Sequence, residues 1–146
     1  MLKVNSISFS YEEAIFQDVS FEIGKGEVIG IVGNSGAGKT TLLKVIAGLL
    51  DVSEGEITFD GELVKGPSNN LISGHEEIKL VNQDFSLDLY HTVQENIREK
   101  ILHLPKIERD ELVEELLDLI ELNHRADQKA ILLSGGEQQR LALARA

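Results

Sequence analysis

The 146-residue chain has no cysteine and no tryptophan, and only two prolines and one methionine. Without cysteine, neither a disulfide framework nor a thiolate zinc site can form, which fits a reducing compartment. Long apolar runs are missing too. Leu42–Leu50 is nine residues and contains Lys44, against the roughly 20 that a membrane-crossing helix needs. The opening Met1-Leu2-Lys3-Val4-Asn5 lacks the apolar core of a signal peptide. Basic charge is scarce: 14 Lys and Arg stand against 25 Asp and Glu, for a net charge of -11. That balance argues against nucleic acid as a default partner.

What is present suffices for a folded domain. Hydrophobic residues make up 42% of the chain and charged residues 27%, outside the range of disordered chains. The length is a prior for one domain. The first fifty residues carry a net charge of -1, the next fifty -7 and the remainder -3. The first third is therefore the least hostile to an anionic ligand, and the acidic middle reads as a solvated face.

Leu2–Tyr11 alternates loosely, with Ile7, Phe9 and Tyr11 sharing a face, and predicts a strand. Val19–Ile23 alternates more cleanly and ends in a Gly24-Lys25-Gly26 turn. Val28–Val32 is a continuous apolar run of strand length, as in a parallel sheet buried on both faces. Lys39–Leu50 places Leu42, Leu43, Val45, Ile46 and Leu49 at helical spacing. Glu56–Phe59 predicts a short strand closed by Asp60-Gly61, a favoured tight-turn pair. Residues 66–74 read as a loop, and Ile78–Val81 as a further strand. Thr92-x-x-Glu95 and Ser134-x-x-Glu137 are capping boxes. Between them, Ile107–Leu122 predicts a helix whose face is Leu112, Leu116, Leu119 and Ile120. No internal repeat is evident. Strands first and helices last suggest an α/β core with a helical appendage.

Gly33-Asn34-Ser35-Gly36-Ala37-Gly38-Lys39-Thr40 fits G-x-x-x-x-G-K-[ST], between a strand candidate and a helix candidate as that motif requires. A chance match in a chain this long is about one in a few hundred. The glycines let backbone N–H groups turn inward into a nest for phosphate oxygens. The helix that follows directs its positive end to the same place. In such a loop Lys39 would reach the β- and γ-phosphates, and Thr40 would ligate Mg²⁺ through its hydroxyl. The alternative is a glycine-rich turn with an incidental lysine. The Ser134 box offers a second helix N-terminus, where Gly135 and Gly136 leave first-turn N–H groups uncovered by side chains. Taken alone, that string could equally be an ordinary capping box.

The loop, then Gln83, then Leu133-Ser134-Gly135-Gly136-Glu137-Gln138-Gln139-Arg140 resemble the nucleotide-binding domain of ATP-binding-cassette (ABC) ATPases, in the family's order and over essentially the whole chain. The resemblance implies a P-loop NTPase core of ABC type, with an N-terminal antiparallel β subdomain, a helical subdomain and an incomplete sheet. It assigns residues 1–91 to the β-rich nucleotide-binding core, 92–133 to the helical subdomain and 134–146 to the signature helix. It implies that Gly33, Asn34, Ser35, Gly36, Ala37, Gly38, Lys39, Thr40 and Thr41 cradle ATP, with Thr41 near the α-phosphate. Tyr11 takes the place of the aromatic that stacks on adenine. Such stacking contributes about 1–3 kcal/mol; read alone, Tyr11 is equally a strand-end residue packing on the core. Gln83 takes the place of the glutamine that senses Mg²⁺ and the attacking water, its bland alternative being a polar strand end. Ser134, Gly135 and Gly136 match the motif that faces the γ-phosphate on a partner domain.

The implied function is the ATP-binding subunit of an ABC transporter. Its implied ligands are ATP and Mg²⁺. Its implied partners are transmembrane permease subunits and a second nucleotide-binding domain, as homo- or heterodimer, without nucleic acid. Its implied place is cytoplasmic and peripheral, at the inner face of the cell membrane. Where many relatives carry an aromatic and a proline after Gln83, this chain has Asp88 and Leu89. The four histidines lack metal-ligand spacing and read as surface residues.

The family continues beyond the signature into an apolar strand ending Asp-Glu, an aspartate loop and a switch histidine, which do not occur before Ala146. Leu116-Leu117-Asp118 is no substitute, since it precedes the signature and has Leu119 in place of the glutamate. The expectation is a chain that binds ATP better than it hydrolyses it. Its Val28–Val32 and Ile78–Val81 strands should either self-associate or pair directly with each other. The alternatives are an ABC-type ATPase of DNA repair or translation, and a binding-only fragment. The repair branch inserts a coiled coil or zinc module after Gln83, whereas here only fifty residues, without cysteine, separate Gln83 from Ser134.

Overall fold

The computed structural model describes residues 1–71 and 73–146, arranged as two compact units, Met1–Leu80 and Val81–Ala146.

The first unit is built on a four-stranded sheet in the order β2-β1-β3-β4, with every pairing antiparallel. Its strands are β1 (Leu2–Ser10), β2 (Ala14–Ile23), β3 (Glu54–Phe59) and β4 (Glu62–Leu63). Val4, Ile7 and Phe9 of β1 are all buried. Val4 and Ile7 are three residues apart and belong on opposite faces of a regular strand. A β-bulge reconciles them: Ser6 takes φ 45°, and the register shifts between Val4 and Ile7 against β2 and between Asn5 and Ser8 against β3. The loose alternation of the sequence is thus one bulge in a one-sided strand. Tyr11, expected on the face of Ile7 and Phe9, lies beyond β1 and is 65% exposed. Asp60 (φ 49°) and Gly61 (φ 89°) make the two-residue hairpin loop, with Phe59 opposite Glu62.

The helix α1 (Lys39–Ile46) packs Leu42, Val45 and Ile46 into a cluster with Val4, Ile7, Phe9, Ile57 and Val64. It is shorter than its apolar pattern, because the chain turns at Ala47 and Gly48, the latter at φ 71°.

Two expected strands do not form. Val28–Val32 joins no ladder, and Val28 and Val32 are 95% and 92% exposed. Ile78–Val81 joins none either, although Ile78 packs partly on the apolar cluster. The direct pairing expected of these two runs is therefore not found. An apolar run of strand length makes a strand only where a neighbour offers backbone partners, and the described strands take other neighbours.

The second unit is helical: α2 (Val93–Arg98), a 3₁₀ turn at Glu99–Ile101, α3 (Lys106–Leu119) and α4 (Gly135–Arg145). Both capping boxes form, with Thr92 and Ser134 as N-caps. The core gathers Val93, Ile97, Val113, Leu117, Ile120, Leu122, Ala130, Leu133 and Leu141. The buried face of α3 is therefore Val113 and Leu117, continuing to Ile120, with Leu116 half-buried, whereas Leu119 is 76% exposed. Leu119 lies about 200° around the helix from Leu117, at 3.6 residues per turn. The expected face is corrected by one residue, about 100°, from Leu112 and Leu116 to Val113 and Leu117, with Ile120 common to both.

Asn96 is fully buried and fully engaged. Its Oδ1 accepts the Asp88 N–H at 2.9 Å, and its Nδ2 donates to the carbonyls of Asp88 at 2.8 Å and Thr92 at 3.0 Å. Asp88 thus serves as a backbone anchor for the loop before α2.

Leu141→Ala should lower stability by about 2–5 kcal/mol, the usual range for truncating a buried leucine. Leu119→Ala should stay within about 0.5 kcal/mol. Urea unfolding followed by circular dichroism checks both.

The Glu95 carboxylate accepts the Thr92 N–H at 2.7 Å, and the Glu95 N–H donates to Thr92 Oγ1 at 3.2 Å. The Thr92 backbone first, then its hydroxyl, hold the Glu95 carboxyl below its ordinary value of 4.5. A carboxyl with a lowered folded pKa adds stability above its unfolded pKa, and this is lost as pH falls through the folded value. Glu95→Gln should therefore lower stability at neutral pH, where the charged carboxylate contributes, and converge on the parent protein as pH falls below about 4.5, measured by urea midpoints across pH 3–7.

Candidate functional site

The loop from Gly33 to Gly38 enters α1 through two left-handed residues, Gly36 at φ 84° and Gly38 at φ 82°. At Gly38 the requirement is double. A Cβ there would sit 2.6 Å from Ile15 Cγ2, and φ is one that only glycine adopts without strain. The loop is closed by an Ala37 N–H to Asn34 carbonyl bond of 3.2 Å. Lys39 completes it, its Nζ donating to the carbonyls of Gly33 at 2.9 Å and Asn34 at 2.7 Å. The ammonium is thereby held over the loop.

The N-terminus of α1 has no side-chain cap and no acidic residue in its first turn. The contrast with α2 and α4 is direct, since both of those carry a capping box and a first-turn glutamate. First-turn N–H groups with neither cap nor carboxylate, beside an ammonium, make a seat for an anion. Ser35 and Thr40 are exposed and Thr41 is half-buried. The donor set of inward N–H groups, one lysine and neighbouring hydroxyls suits a polyphosphate with a bound divalent cation.

Tyr11 stands edge-on to Phe9, with ring centroids 4.9 Å apart at 87°, and Phe9 stacks on Phe16 at 6.0 Å. Phe16 and Ile15 in turn border Gly38. Tyr11 thus belongs to the same aromatic ridge as the loop, with its outer face open. Sequence reading missed Phe9, Ile15 and Phe16 as parts of this wall; the usable signal was a second aromatic-rich strand right after Tyr11.

In the second unit, Gln83 is exposed in a turn in which Phe85 N–H meets the Asn82 carbonyl at 3.0 Å. Ser134 caps α4, its Oγ accepting the Glu137 N–H at 3.4 Å. Space above Gly135 and Gly136 is open: a Cβ at either would meet nothing within 4 Å. Glu137 also reaches Arg125, which the motif alone did not indicate. Among the described residues no group of three His, Asp or Glu side chains is placed to hold a metal. His91 contacts Glu99 and Asp88, and His75 lies edge-on to Phe59. Any cation therefore depends on hydroxyl, amide and ligand oxygens.

A family model described as ABC transporter matches residues 16–146. The chain belongs to the ABC transporter family. It is 38% identical over 151 residues to the methionine import ATP-binding protein MetN of Streptococcus pyogenes, covering 96% of this chain and 43% of that protein. It is 37% identical over 149 residues to the molybdate/tungstate import ATP-binding protein WtpC of Pyrococcus abyssi, covering 100% of this chain and 42% of that protein. The chain thus spans less than half the length of these relatives. Among solved structures, cbiO1 of Clostridium perfringens, part of an ABC transporter complex, matches with a TM-score of 0.86 at 27% identity, covering 99% of this chain and 59% of that one. A dimeric bacterial ABC transporter cassette matches with a TM-score of 0.78 at 32% identity, covering 99% and 68%. The family is one of ATP-hydrolysing domains, and the expected ABC-type fold, with its antiparallel β portion and incomplete sheet, agrees with these neighbours.

Gly38→Ala should strain the loop by about 1–3 kcal/mol and displace Ile15. Nucleotide binding should fall with only a modest loss of fold, read by titration with a fluorescent ATP analogue beside the circular dichroism spectrum.

Proposed function

We propose that this chain is the nucleotide-binding part of an ATP-binding subunit serving an ABC importer. The observation that carries this is the uncapped N-terminus of α1, with Lys39 held over the glycine loop, in a chain whose relatives are import ATP-binding proteins. In this reading the N–H groups of residues 33–41 hold the phosphates of ATP. Lys39 exchanges its two loop carbonyls for β- and γ-phosphate oxygens. Tyr11 offers its open face to adenine. The Thr40 hydroxyl would be a Mg²⁺ ligand, and the ion would supply charge neutralisation to the phosphates. Gln83 would take the role of the family's glutamine toward the ion and the attacking water. Ser134, Gly135 and Gly136 present a second anion-binding helix end to nucleotide on a partner domain.

The wider assembly follows the same reading. The partners are permease subunits and a second nucleotide-binding domain, and the place is the inner face of the membrane. Among the described residues no helix is long and apolar enough to cross a membrane. Residues 1–91, 92–133 and 134–146 act as nucleotide core, helical subdomain and signature helix. Methionine is the solute to test first, with molybdate as the comparison, because the names of the similar proteins carry these two.

Two substitutions test the nucleotide site. Lys39→Ala should weaken ATP about ten- to a hundredfold, the value of one charge-assisted phosphate bond. Tyr11→Ala should weaken ATP but leave inorganic triphosphate unchanged, since only the base is stacked. Isothermal titration with both ligands decides. Unchanged ATP affinity in Lys39→Ala would overturn the site, and equal weakening of both ligands in Tyr11→Ala would return Tyr11 to a packing role.

A further inference from the structure

The N-terminus of α4 differs from that of α1 in a way that bears on how Ser134 can act. The Ser134 hydroxyl donates to Glu137 Oε2 at 2.7 Å, and the Ser134 N–H donates to the same oxygen at 2.8 Å. The hydroxyl proton that a phosphate would need is therefore already engaged by a carboxylate. The other carboxylate oxygen lies 2.8 Å from Arg125 Nε, with Glu137 15% and Arg125 33% exposed. The Nε–H does not point along that oxygen, so the contact is one of charge rather than a directed hydrogen bond. Arg125 is itself steadied, its Nη1 donating to Gln128 Oε1 at 2.8 Å.

The Ser134 backbone and hydroxyl, then Arg125 and Arg140, hold the Glu137 carboxyl below its ordinary range, so it is charged at neutral pH. A negative charge therefore sits in the same first turn as the N–H groups of Gly135 and Gly136, where an anion is to be received. A cation beside it offsets that repulsion.

We propose that Arg125 and Glu137 are positioning residues for Ser134. Glu137 keeps the hydroxyl proton turned inward until phosphate competes for it, and Arg125 cancels enough of the Glu137 charge for phosphate to approach. This rests on the reading that the Ser134 end of α4 receives nucleotide phosphate held by a second domain. It adds two residues to that site, one of them outside the signature string.

The test is a double-mutant cycle on the 146-residue chain, with ATP-driven self-association measured by sedimentation and ATP affinity measured separately at concentrations where the chain is monomeric. Arg125→Ala should weaken association about two- to fivefold, the scale of one half-exposed charge pair. Arg125→Lys should recover most of that loss. Glu137→Gln, whose carbonyl can still accept the Ser134 N–H, should strengthen association by a similar factor. Adding Arg125→Ala to Glu137→Gln should change nothing further, because the arginine acts through the carboxylate. ATP affinity of the monomer should be unaltered throughout, and circular dichroism should show α4 intact.

Weakening by Glu137→Gln, as simple loss of a cap would produce, overturns the proposal. So does an Arg125→Ala defect that persists in the double variant. A chain that binds no ATP removes the underlying function instead. A chain that binds ATP but whose association is indifferent to both substitutions removes the Arg125–Glu137 role alone.

Discussion

The glycine loop is held in place by a contact that is not part of it. Leu42, Val45 and Ile46 seat α1 among Val4, Ile7, Phe9 and Ile57. A helix of eight residues is too short to persist in water on its own. Its first turn is useful as an anion seat only while that apolar face is buried. The glycines, the lysine and the hydroxyls contribute chemistry, but burial of three aliphatic side chains decides whether their N–H groups converge. The same cluster fixes β1, and through Phe9 it fixes the ridge on which Tyr11 stands.

The two units use helix ends in opposite ways. In α2 and α4 the first turn is closed by a serine or threonine and a glutamate. In α1 it is left open, with Gly38 as the N-cap. Leaving those donors without partners costs local stability, and the chain incurs that cost where an anion can take their place. At α4 the arrangement is intermediate: the cap is complete, yet the two glycines keep the approach open. That combination makes the charge of Glu137, and its neutralisation by Arg125, matter.

Much of this was legible in the residues. The P-loop and signature strings are local patterns whose residue types state their own geometry, and both caps formed where the spacing placed them. What was hard to read depended on partners. Val28–Val32 has the composition of a buried strand, but composition does not state which backbone lies beside it. The face of α3 was misjudged because four leucines allow two overlapping stripes, and only the neighbouring core selected Val113 and Leu117 over Leu119. The bulge at Ser6 disguised a one-sided strand as a loose one. Arg125 is nine residues before Ser134, joined to the site by a turn of the chain that no motif encodes.

The order of pairing in the sheet also sets the order of events in folding. β1 and β2 are neighbours in sequence and can meet quickly, but β3 closes on the far side of β1, with Leu2 opposite Phe59. Everything between those two residues, the glycine loop and α1 included, lies inside that closure. Loops that must close before their contacts form slow the search for the native state. The β1–β2 hairpin needs no part of that closure, whereas the seat at the start of α1 is enclosed by it: the third strand is the clasp that shuts the segment carrying the loop.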